Sequence, residues 1–136
     1  MLTLFYPGAL TLMALFLAIK TGQRRISSET MLGTGDSFEL LQATRAHGNL
    51  VENAVFFLLL IGLLEVSGAV SNLTIGILGD LFLLARIFHA YGILQPEAVS
   101  IFRTIGAGAS MLVLIILAAL AIWISGSWLL ANNWGF

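Results

Sequence analysis

Four apolar stretches, each long enough to cross a bilayer, dominate this 136-residue chain. A helical span needs about 20 mostly apolar residues. Residues 2–19, 38–66, 73–94 and 99–130 supply that need, the last with length to spare. With no water in the hydrocarbon core, backbone N–H and C=O groups must pair within the segment, which makes each stretch a helix. The chain is 59% hydrophobic and only 10% charged, against about 25% charged in soluble domains. The reading is an all-α integral membrane protein, with one domain over residues 1–136.

The connections set the topology. Residues 20–37 form the sizeable loop, polar and turn-rich, with Gly22, Gly33 and Gly35. Residues 67–72 are a short polar turn. Gln95-Pro96-Glu97 is another, where proline breaks the helical run. Short connections join antiparallel neighbours, so an up-down four-helix bundle is expected. Lys20, Arg24 and Arg25 all fall in the first loop. The positive-inside rule places that loop and the third in the cytoplasm, with both termini on the opposite side. Because these basic residues follow the first apolar run, that run reads as a retained anchor rather than a signal peptide.

Composition also excludes chemistries. There are no cysteines, hence no disulfide, thiolate metal site or cysteine nucleophile. A net charge of −1 gives no reason to expect a nucleic acid partner. His47 and His89 are too sparse for a metal site, and none is expected. Neither a hydrolase triad nor a phosphate-cradling loop is present.

What remains is a polar cluster where none should be cheap. Arg45, His47, Asn49 and Glu52 lie near the entry of the second apolar stretch, and residues 53–64 carry no charge. Polar side chains at membrane depth pair with each other or serve a ligand. Arg45, Asn49 and Glu52 share one helix face, while His47 points elsewhere. The topology brings Arg86 and His89 of the third helix, and Arg103 of the fourth, to the same leaflet. Gly106-Ala107-Gly108-Ala109-Ser110 is a run of small residues that lets helices approach closely.

Each residue has a plainer reading. The arginines serve equally as snorkelling anchors, Glu52 as the partner of Arg45 or Arg86, Asn49 as a helix–helix hydrogen bond, and His89 as an interfacial polar group. Asp80 is either a helix–helix contact or a functional acid. Trp123, Trp128 and Trp134 read as an interfacial belt. Taken jointly, three cations, a carboxylate and an amide make a net-positive pocket. It suits an anionic ligand bearing several carboxylates or a phosphate.

Arg45-Ala46-His47-x-Asn49-x-x-Glu52 closely resembles the second-helix signature of the MAPEG proteins, membrane-associated proteins in eicosanoid and glutathione metabolism. Arg86-Ile87-Phe88-His89-Ala90-Tyr91-Gly92 is similar to the end of that family's third helix, and Phe102-Arg103-Thr104-Ile105-Gly106 to the start of its fourth. The likeness covers essentially the whole chain and is nearest in character to small bacterial members. One departure is Asn53-Ala54-Val55, where relatives commonly place a proline.

The resemblance implies a homotrimer in a bacterial inner membrane, with glutathione as co-substrate between subunits near the cytoplasmic side. Carried over by position, Arg45, Asn49, Glu52, Arg86, His89 and Tyr91 would bind glutathione. Arg103 would stabilise its thiolate and so carry the catalysis. The implied activity is that of a membrane glutathione transferase, or peroxidase, acting on a lipophilic small molecule delivered by membrane lipid. The alternative is a non-catalytic lipid-binding or accessory subunit of a membrane complex. A channel or transporter fits less well, because the polar residues crowd one leaflet.

Overall fold

A computed structural model describes residues 2–96 and 100–135. Each apolar stretch is a helix: α1 Phe5–Ser27, α2 Phe38–Ser67, α3 Asn72–Ile93 and α4 Ile101–Ala131. Short 3-10 turns precede α1 at Leu2–Leu4 and follow α4 at Asn133–Gly135. All four helices are long and apolar enough to cross a membrane.

The helix ends show why they stop. Ser37 caps α2 by accepting from the Leu40 N–H at 3.2 Å, and Ser71 caps α3 by accepting from Thr74 N–H at 3.2 Å. Gly68 closes α2 in the left-handed conformation, φ 66°, which costs glycine little. Glu97 and the expected helix start at residue 99 lie outside the described residues. The fourth helix begins at Ile101, with Ser100 at its N-cap.

One expectation needs correction. Helix α1 does not end at residue 19 but continues through Lys20, Arg24 and Arg25 to Ser27. Loss of hydropathy marks where the bilayer ends, whereas lysine, glutamine and arginine remain good helix formers. Arg24 and Arg25 also occupy the last turn, where cations complement the helix dipole. The loop is thus shorter, residues 28–37. Arg25 gathers it by donating from Nη1 to the carbonyls of Met31 and Gly33, at 3.2 and 2.9 Å.

Packing is uneven. The α3–α4 contact is the most extensive, followed by α1–α2, whereas α1 and α3 touch lightly. Two glycines permit the close α3–α4 approach. A Cβ on Gly92 would lie 2.2 Å from the Arg103 nitrogen, and one on Gly106 would lie 2.5 Å from the His89 nitrogen. Of the small-residue run, Gly106 and Ser110 are buried against α3 while Gly108 is exposed. At the core, Phe57 of α2 stacks on Phe82 of α3 with centroids 3.9 Å apart, and Tyr6 of α1 meets Phe57 edge-on at 5.9 Å. The Tyr6 hydroxyl bonds Gly76 O and Asp80 Oδ1, at 3.0 and 3.1 Å. Asp80 is therefore an α1–α3 contact, remote from the polar cluster.

Candidate functional site

A cleft of about 870 Å³ opens between α2, α3, α4 and the loop that leads into α2. Its polar wall comes from Thr34 of the loop, Gln42, Thr44, Arg45, Asn49 and Glu52 of α2, His89 of α3 and Arg103 of α4. Helical periodicity puts the α2 set on one side, and Glu52 lies about 21 Å along α2 from Phe38 at 1.5 Å per residue. His47 is half-buried and does not line the cleft.

Arg86 is the centre of the arrangement, but from beneath. It is 2% exposed and is absent from the cleft wall. Nε donates to Ser110 Oγ at 2.8 Å, Nη1 to Asn49 Oδ1 at 2.7 Å and Nη2 to the Gly106 carbonyl at 3.2 Å. Its Cζ also lies 5.8 Å from the Phe82 ring centroid, within cation–π range. One guanidinium thereby ties α2, α3 and α4 together. The three arginines do converge on one end of the bundle, yet two face the cleft and one supports it.

The support has a chemical consequence. Arginine can only donate, so the Asn49 atom it contacts is the carbonyl oxygen. Asn49 keeps its amide hydrogens as donors on the cleft side. Asn53 Nδ2 reinforces this by donating to the Asn49 backbone carbonyl at 2.8 Å.

His89 is 6% exposed, and its Nδ1 contacts the Arg103 carbonyl at 3.0 Å. A carbonyl only accepts, so Nδ1 carries the hydrogen; in the neutral ring Nε2 is then an acceptor. Among the described residues, Nε2 is buried with no hydrogen-bond partner, and so is Thr44 Oγ1. Buried polar groups are nearly always satisfied. Both atoms belong to residues of one cleft wall.

Two charged groups of the wall, Arg45 and Glu52, are also uncommitted among the described residues. They make no hydrogen bond or ion pair there, so Glu52 is the partner of neither Arg45 nor Arg86. An ion pair does form at the periphery, Arg24 to Glu39 at 2.6 Å.

Tyr91 stands apart from this group. It is exposed, packs edge-on against Phe102 at 5.4 Å, and faces a second groove beside α1. Its place in the sequence, two residues after His89, turns it to another face of α3. Sequence reasoning missed Thr44, whose hydroxyl has no motif to announce it. It also missed Gln42, itself in the cleft lining, which donates from Nε2 to the carbonyls of Ile93 and Gln95 at 2.8 and 2.5 Å and so ties α2 to the end of α3.

Four membrane-length helices with a cation-bearing cleft at one end define the class: a helical membrane protein of the four-span type. The sequence profile of the MAPEG family matches residues 3–123, and the chain belongs to that family of glutathione-associated membrane proteins. It is an integral membrane protein. No curated protein and no solved structure matches the chain.

Proposed function

We propose that the protein is a membrane glutathione transferase, and that the cleft holds glutathione. The observation that carries this is the match of uncommitted groups to the ligand. Glutathione brings two carboxylates, one ammonium and a thiol. The cleft offers the Arg45 guanidinium for a carboxylate, the Glu52 carboxylate for the ammonium, and the amide donors of Asn49. Thr44 Oγ1 and His89 Nε2 gain the partners they otherwise lack. Arg86 acts through Asn49, as a positioning residue, rather than touching the ligand. Tyr91 has no part in this cleft.

Arg103 supplies the chemistry. A guanidinium next to the sulfur favours thiolate over thiol, as cations do for cysteine. The thiol proton leaves to water, and the sulfur forms a bond to an electrophilic carbon as the leaving group departs with its electron pair. In the peroxidase variant, two glutathiones are oxidised to the disulfide while a lipid hydroperoxide becomes an alcohol and water. Charge stabilisation and positioning provide the acceleration. The lipophilic partner arrives through the bilayer.

Arg45, Glu52 and Arg103 are exposed in a single chain. Charged groups at membrane depth face a protein interior or a water-filled cavity. A second copy across the cleft meets that requirement, which supports an oligomer; the resemblance makes it a homotrimer with glutathione between subunits. We place the cleft at the cytoplasmic side of a bacterial inner membrane, where glutathione is available.

Glutathione titration of the purified protein, read by calorimetry and by thiolate absorbance, tests the proposal. Wild type shows binding and a thiolate signal. Arg45→Ala and Glu52→Ala lose binding, whereas Arg103→Ala binds but gives no thiolate. Absence of both signals in the wild type rejects the transferase and leaves the accessory-subunit reading.

A further inference from the structure

A second groove, about 410 Å³, lies between α1 and the end of α3. It shares no lining residue with the polar cleft. Its walls are apolar, including Phe16 and Leu17 from α1 and Ile87 and Leu94 from the α3 side, and its polar groups are Lys20, Tyr91 and Gln95. Phe16 and Ile87 are exposed, so the groove is open along its side in the single chain.

Lys20 gives the groove its chemistry. It is the first charged residue after the apolar run of α1. Helix α1 continues past it to Ser27, so the side chain is fixed on a rigid element at the apolar–polar boundary. The other two cations of α1 are engaged, Arg24 with Glu39 and Arg25 with loop carbonyls. Among the described residues, Lys20 has neither a hydrogen bond nor an ion pair and no acidic residue lines the groove.

We infer that this groove is a binding site for an anionic phospholipid. One acyl chain lies along the apolar walls, and the phosphate sits at Lys20 within reach of the Tyr91 hydroxyl. Basic pockets between membrane helices hold anionic headgroups, each lysine adding to the attraction. The weak α1–α3 contact leaves this seam for lipid to fill. The site gives Tyr91 a role outside the polar cleft and stands independently of glutathione binding.

Photoactivatable phosphatidylglycerol, with the label in the acyl chain, tests this in vesicles of phosphatidylcholine containing the full-length protein. Labelling maps to the segments around Phe16 and Ile87. Unlabelled phosphatidylglycerol competes about five-fold better than phosphatidylcholine, the contribution of one lysine near a headgroup. Lys20→Gln brings that ratio close to one, and Lys20→Arg retains it. Labelling spread evenly over the lipid-facing helices, or a ratio unchanged by Lys20→Gln, overturns the site. So does a disulfide between two copies of a Phe16→Cys variant, which shows protein covering the groove.

Discussion

Arg86 Nη1 donates to Asn49 Oδ1 at 2.7 Å, so a buried guanidinium on α3 sets the direction of an amide on the cleft wall of α2. Replacing Arg86 by alanine leaves Asn49 Oδ1 without that donor and removes the tie to Ser110 and Gly106. An unsatisfied buried group costs about 1–3 kcal/mol, and thermal unfolding in detergent should fall accordingly. Arg86→Lys should not rescue it, because one ammonium cannot reproduce the planar fork. Glutathione affinity that survived in a folded Arg86→Lys protein would show that Asn49 does not depend on this contact.

Thr44→Val separates stability from binding. The Thr44 hydroxyl is buried without a partner among the described residues, so a methyl group of similar shape removes an unfavourable desolvation. The melting temperature should hold or rise. Glutathione affinity should drop about two- to twelve-fold, the worth of one hydrogen bond of roughly 0.5–1.5 kcal/mol. Calorimetry reads the affinity; an unchanged value removes Thr44 from the ligand shell.

Gly92→Ala and Gly106→Ala should both loosen the α3–α4 pair. Each new Cβ would meet backbone, at 2.2 and 2.5 Å, and overpacking of this kind costs about 1–3 kcal/mol or more. Gly108→Ala is the control. No atom lies within 4 Å of its Cβ position, and alanine gains about 0.8–1.0 kcal/mol of helix propensity over glycine. Parallel melting curves check the order.

Tyr6→Phe tests the staple at the other end of the bundle. Losing the bonds to Gly76 O and Asp80 should cost about 0.6 kcal/mol, and at most about 1.7, as for hydrogen bonds between membrane helices. Gly79→Ala should cost more, because its Cβ would stand 2.0 Å from the Tyr6 ring. Neither change should alter glutathione affinity, since Tyr6, Gly79 and Asp80 lie outside the cleft.

Much of the molecule was legible before any coordinate. Hydropathy and the short turns give four antiparallel helices, and periodicity alone aligns Arg45, Asn49 and Glu52 along one wall. The end of α1 was misjudged because hydropathy reports the bilayer and not the helix. Arg86 and Arg103 were equivalent in sequence, each an arginine close to a helix end. In the structure Arg86 is buried at 2% and Arg103 exposed.

The chain by itself determined that it spans membranes and that Arg45, Asn49 and Glu52 share one helix face, because length, polarity and period are local properties. Only the tertiary structure decided which cations face the cleft, which polar atoms are left unpaired, and that Tyr91 belongs to a different groove. Those outcomes depend on how α3 rotates against α4. Steric contact at Gly92 and Gly106 sets that rotation, and no pattern along a single helix encodes it.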